Sequence, residues 1–125
     1  MKLRGTRIVL GYLVGTVMLL SAGAHSLLGW PNLSAELAKN HVPADLVRGL
    51  AIGWHFGGFC ILAFAAIVIL QFTDVLRSRP VSLRPALLIG IAYLVFGGWA
   101  LVFSGMNPFF LIFIIPGLML IAASL

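Results

Sequence analysis

The chain has 125 residues, 62% of them hydrophobic and 9% charged, with a mean hydropathy of +1.14 and a formal net charge of +5. A soluble domain of this size needs far more polar surface to cover its core, so a water-soluble globular protein is excluded. The basic balance does not argue for a nucleic-acid partner, because the basic residues are placed by the ends of the apolar runs rather than in a patch of their own.

Lys2, Arg4 and Arg7 precede the first apolar run, Ile8–Leu28. A helix needs about 20 mostly apolar residues to cross the hydrocarbon layer, and this run reaches that length by Trp30-Pro31. Tryptophan favours the headgroup level and proline suits the end of a span, so the first span is set at about 8–29. The basic start and Ala22-Gly23-Ala24 also fit a secretory signal with an A-x-A cleavage site. The apolar run continues past that site to Trp30, and the segment is therefore read as a retained span. One face carries Gly11, Val14, Met18, Ser21, Ala22, His25 and Gly29 at spacings of three and four. Small residues at that spacing let neighbouring backbones approach, so His25 is expected to look into the bundle with Ser21 one turn away.

The connection Asn32–Val47 is the longest polar stretch, and Asn32 is suited to cap a short helix lying along the external interface. His41 belongs to this stretch and reads as an ordinary solvated histidine. Pro43, Ala44 and Asp45 read as the first turn of the second span, about 48–72, with Asp45 favoured by the helix dipole. That span has two small-residue faces, Gly49, Gly53, Gly57 and Cys60 on one, and Ala51, His55, Gly58, Leu62 and Ala65 on the other. Two such faces suggest a central helix. His55 and Cys60 lie about 140° apart around it, which argues against a joint metal site. The lone cysteine cannot form an internal disulfide and reads as a packing thiol.

Arg77, Arg79 and Arg84 fill the next link. The third span, about 85–105, repeats small-residue spacing through Gly90, Tyr93, Gly97, Ala100 and Ser104. Met106-Asn107-Pro108 is a tight turn into the fourth run, about 109–125, in which Pro116-Gly117 should introduce a kink. The expected fold is thus all-α: one domain, an integral membrane four-helix bundle of antiparallel up-down topology, with a short external interfacial helix between helices 1 and 2. Gly11, Gly49, Gly53, Gly57 and Gly97 are the expected helix-packing positions. Six of the basic residues fall on one side of such a bundle, whereas Lys39 and Arg48 on the other are nearly balanced by Glu36 and Asp45. By the positive-inside rule both termini are cytoplasmic, in a multi-pass protein of the bacterial inner membrane.

Two histidines fall within spans. At 1.5 Å per residue His25 lies roughly 7 Å inside Trp30, His55 roughly 10 Å inside Arg48, and Trp99 about 9 Å from Gly105. All three belong to the outer half of the membrane. Ionisable side chains at such depth are functional candidates. Several readings stay open: imidazoles that hydrogen-bond to each other, to Ser21 or to a carbonyl; an outward-facing pocket for a quinone or lipid-like molecule; axial ligands of a b-type haem; or a copper or zinc site helped by Met106 or Ser21. Missing residues narrow the field. Without Asp or Glu inside a span, the chain lacks the carboxylate of small proton-coupled exporters and the acid and base of intramembrane hydrolysis. A Ser21–His25 pair has no acidic third member, and Asn32, Asn40 and Asn107 all fall in connections, which argues against the buried polar tracks of small fluoride channels.

Gly23-Ala24-His25 in the first span and Gly57-Gly58-Phe59 in the second resemble the broad DoxX-like group of small bacterial four-span proteins. The resemblance implies an accessory role beside quinone-linked oxidoreductases and assigns no residue a function. The leading expectation is a non-enzymatic accessory subunit or binder of a small apolar ligand, held near His25, His55, Trp99, Ser21 and Tyr93, without a cofactor or metal. The alternatives are a haem b-binding redox anchor using His25 and His55, and a structural partner that joins another membrane protein or a second copy through its glycine faces. Membrane lipid is the common partner in each case, and nucleic acid in none.

Overall fold

A computed structural model describes the backbone of residues 2–125 and the side chains of residues 4–125. The Lys2 side chain, counted with the basic residues above, lies outside that description. The described residues are all-helical: α1 (Lys2–Ala24), a π-helical turn (His25–Gly29), α2 (Trp30–Lys39), α3 (Ala44–Leu76), α4 (Arg84–Phe103), a 3-10 turn (Pro108–Phe110) and α5 (Leu111–Ser124). Three stretches, Arg4–Lys39, Ala44–Leu76 and Arg84–Phe103, are long and apolar enough to cross a membrane, while Pro108–Ser124 is apolar but shorter.

The stripe on α1 meets α3 along its length. A Cβ on Gly11 would overlap the Phe72 ring, one on Gly15 would stand 2.6 Å from Ile69 Cγ1, and one on Gly29 would stand 2.8 Å from Trp54 Cζ2. Numbers rise on α1 as they fall on α3. Val14 and Met18 of α1, Val68 and Phe72 of α3, and Leu120 of α5 are the largest fully buried side chains. Many large apolar side chains face outward instead, among them Leu20, Leu27, Ile52, Phe56, Val95 and Phe103. In water that surface would be a severe aggregation liability, whereas in lipid it is matched to its solvent.

The α4–α5 seam is tighter still. A Cβ on Gly97 would come 2.9 Å from Phe113 Cβ, and one on Gly117 would come 2.9 Å from both the Gly90 carbonyl oxygen and the Leu94 nitrogen. Backbone meets backbone here, beside Pro116, which is itself buried within α5. The helices form the order α3, α1, α5, α4, with α3 and α4 touching less extensively. α1, not α3, therefore packs on two principal neighbours. The expectation of a central second span is corrected: a methyl added at its Gly49 or Gly53 would meet nothing within 4 Å.

The start of α2 also differs from expectation. Asn32 lies inside α2, whose N-cap position is Gly29, so it does not cap that helix. α1 and α2 are one continuous helical stretch, interrupted only by the π-turn. At the other end of α1, two arginines close the ends of neighbouring helices. Arg4 Nη2 donates to the Val75 carbonyl at 2.6 Å and to Ser78 Oγ at 2.7 Å, and Arg7 Nε donates to the Ala123 carbonyl at 2.8 Å. Cations suit the carbonyl-rich C-terminal ends of α3 and α5. Tyr12 Oη and Thr73 Oγ1 share a hydrogen bond of 2.7 Å nearby, and Gln71 Nε2 donates to the Ser82 carbonyl at 2.7 Å, tying the α3–α4 link to α3.

Candidate functional site: the groove beside the π-turn

The sequence puts a histidine at the first residue of the π-turn and two adjacent glycines opposite it on α3. Gly58 is buried, and a Cβ there would overlap Ser26 Oγ; a Cβ on Gly57 would stand 3.4 Å from His25 Nε2. The missing side chains make room for His25 and Ser26 to reach the α3 backbone. In return, Trp54 of α3 lies over Gly29. The result is a reciprocal pair of hydrogen bonds. Trp54 Nε1–H donates to the His25 carbonyl at 2.7 Å, and His25 Nε2–H donates to the Trp54 carbonyl at 3.0 Å. A carbonyl can only accept, so Nε2 is the ring nitrogen that carries the proton in this contact. The two rings stack, with centroids 4.4 Å apart and planes within 4°.

A π-turn shifts the backbone ladder by one residue, and such turns recur at functional sites. Carbonyl oxygens have two lone pairs, so each can accept a side-chain donor beside any backbone one. Beside this contact runs an open groove of about 470 Å³, lined by His25, Leu46, Gly49, Leu50, Gly53, Trp54 and Gly57. Its floor is the glycine stripe of α3, bare because no helix of the bundle covers it. His25 and Trp54 bring the only polar side-chain atoms to an otherwise apolar lining.

His55 stands one aromatic ring further on. It packs against Trp30 at a centroid distance of 5.8 Å, and Trp30 also meets Trp54 at 6.4 Å. The two histidines are thus each set against a different tryptophan. Ser21 takes no part in the His25–Trp54 network: of the partners left open for His25, the structure gives it a backbone carbonyl, that of Trp54 across the helix seam. Trp99 is 58% exposed on α4, where its ring neighbours are Phe96 and Phe103. Tyr93 belongs to the α4–α5 seam, packed against Phe113. Of the five residues expected to share a ligand pocket, the groove takes His25 alone, joined by Gly49, Gly53 and Gly57 from the expected packing set. His41 is exposed in the turn after α2, with the positive φ of 52° that closes that helix. Cys60 is half-buried and free. Among the described residues, no group of three or more His, Cys, Asp or Glu side chains converges.

Sequence reasoning passed over Trp54. Its available signal was position: it lies on the same helix as Gly57 and Gly58, within about one turn of both, where a bulky ring and a gap can alternate along one seam. Comparison with known proteins finds no matching family model, no matching curated protein and no matching solved structure.

Proposed function

We propose that this is a non-enzymatic integral membrane protein that holds a small apolar molecule, of quinone or lipid-like chemistry, in the groove beside His25. The observation that carries the reading is the bare glycine floor of that groove next to an imidazole fixed by its bond to Trp54 and its stacking on that ring. Gly49 and Gly53 leave open space where a neighbouring helix would otherwise pack, and a flat ring or acyl chain can lie against them. Ligand sites of this kind are mostly apolar with a few placed polar groups. The second ring nitrogen of His25 is such a group, a polar handle for the oxygen of a quinone or quinol.

In this reading the four apolar runs form an up-down bundle of the bacterial inner membrane, with α2 at the external interface and both termini cytoplasmic. The placement of Arg4, Arg7, Arg77, Arg79 and Arg84 at one end supports that orientation. The groove then opens in the outer half of the membrane. The residues behind the DoxX-like resemblance, Gly23-Ala24-His25 and Gly57-Gly58-Phe59, include the partners His25, Gly57 and Gly58 of the π-turn contact, which favours an accessory role beside quinone chemistry. A haem b held by His25 and His55 would require His25 to give up its bond to Trp54 and both rings to leave their tryptophans. We therefore rank it below the apolar ligand.

The test is fluorescence. With Trp30 and Trp99 replaced by Phe, Trp54 is the sole indole, and a short-chain quinone bound in the groove should quench it saturably. Gly53→Leu should abolish the saturable part. Linear, unsaturable quenching that is identical in both proteins would rule out a quinone in this groove.

A further inference from the structure

The opposite end of the bundle gathers an excess of positive charge. A cavity of about 510 Å³ is lined by Arg4, Arg7 and Arg79, with Ser78, Val75 and Leu83 among its other walls. The chain has three acidic residues. Glu36 pairs with Lys39 and Asp45 with Arg48, both far along the chain from this cavity, and Asp74 pairs with Arg79 at 3.3 Å. Among the described residues Arg4 and Arg7 therefore have no carboxylate partner. Their helix-closing bonds use Arg4 Nη2 and Arg7 Nε, but a guanidinium carries five N–H donors. Among the described residues, Nε and Nη1 of Arg4 and both Nη groups of Arg7 are left without a protein acceptor. Three guanidinium groups around one cavity, with surplus donors and little counter-charge, ask for an anion.

The apolar part of the wall says which kind. Val75, Pro80, Val81 and Leu83 line the same cavity, at an end of the helices where headgroups meet hydrocarbon. A free inorganic anion satisfies the guanidinium groups and leaves those side chains wet, whereas a phosphodiester with acyl chains satisfies both. We propose that this cavity is a binding site for the phosphate of an anionic membrane lipid, with Arg4, Arg7 and Arg79 as its donors. It lies roughly 30 Å along α1 from His25, at 1.5 Å per residue, and does not depend on what the groove there holds. Basic pockets between membrane helices bind lipid headgroups by this combination of charge and apolar wall.

The experiment uses the full chain in an uncharged detergent, with native mass spectrometry and thermal unfolding as readouts. Phosphatidylglycerol, phosphatidylcholine and inorganic phosphate are each titrated against the wild type, Arg79→Gln, Arg7→Gln and Arg77→Gln. Arg77 is exposed on the same link but does not line the cavity, so its variant controls for loss of net charge alone. The expected result is saturable binding of phosphatidylglycerol over phosphatidylcholine, weakened about fivefold by Arg79→Gln or Arg7→Gln and unchanged by Arg77→Gln. Inorganic phosphate should compete only weakly. If it binds and protects as well as the lipid does, the site serves free phosphate and the lipid assignment is overturned. Equal binding of the two lipids, or the same loss in Arg77→Gln as in Arg79→Gln, would overturn the site itself. Because Arg79→Gln leaves the caps of α3 and α5 in place, a folded variant is available even if Arg7→Gln unfolds.

Discussion

At the scale of single residues, the His25–Trp54 contact is the feature on which the site depends. Each residue gives a donor to the other's backbone carbonyl, and the rings stack between those bonds. Hydrogen bonds between membrane helices are worth less than their burial suggests, because the separated helices also find partners in lipid, and about 1 kcal/mol is the appropriate scale. Trp54→Phe keeps an aromatic ring and removes one donor. It should lower stability by about 1 kcal/mol in reversible unfolding in detergent micelles. His25→Leu should cost a similar amount, and the double variant less than the sum, since the two side chains share one contact. Additive losses would show that the two bonds act independently. Part of this was legible in the chain: His25 falls on the small-residue stripe of α1, and its partners Gly57 and Gly58 are adjacent small residues in the next apolar run. A backbone carbonyl was among the hydrogen-bond partners open to it, but which carbonyl was not legible. A serine one turn away offered a local solution, and only the packing of α1 on α3 shows that a backbone carbonyl across the seam is nearer to hand.

At the scale of elements, glycine divides into two populations that spacing alone does not separate. Gly11, Gly97 and Gly117 lie where a methyl would strike a neighbour, while Gly49 and Gly53 face open space. Gly117→Ala sets a Cβ against backbone atoms of α4, which cannot swing aside as a side chain can, and should cost about 1–3 kcal/mol. Gly49→Ala meets nothing and should stay within about 0.5 kcal/mol of the wild type or gain slightly from its better helix propensity. Unfolding midpoints measured side by side decide this. If both substitutions cost the same, the open face of α3 is covered in the native protein. The long helical runs, the turn at Met106-Asn107-Pro108 and the tight Gly90 and Gly97 face were readable from apolar length, turn residues and period. The π-turn was not. Proline normally ends a helix because it lacks an N–H and clashes with the carbonyl four residues back. Pro31 follows closely on a widened turn, and π-bulges are among the places where helices absorb such insertions and bends. Nothing in the local residues His25–Gly29 announces that turn, so α1 and α2 read as two helices when they are one interrupted stretch.

For the whole molecule, composition was the most informative feature, because a bilayer imposes length and internal hydrogen bonding on a chain more strictly than water does. The all-helical fold and the apolar spans follow from that constraint. The site followed less well, since which helices touch is decided by side-chain fit along each seam: Trp99 shares a depth range with His25 in the sequence, but both it and Tyr93 belong to the α4–α5 half of the bundle. The proposed orientation makes its own prediction. In a Cys60→Ala background, Asn40→Cys should react with a membrane-impermeant maleimide on intact cells, and Ser78→Cys only after the membrane is opened. The reverse pattern would invert the topology and place the groove on the cytoplasmic side. The central claim, that the groove beside His25 holds a small apolar molecule, is tested most directly by mass spectrometry of what co-purifies with the full chain and with Gly53→Leu. The expected result is one apolar compound enriched over bulk lipid in the wild type and absent from the variant, at equal yields of folded protein. Identical extracts containing only bulk lipid from both would contradict it.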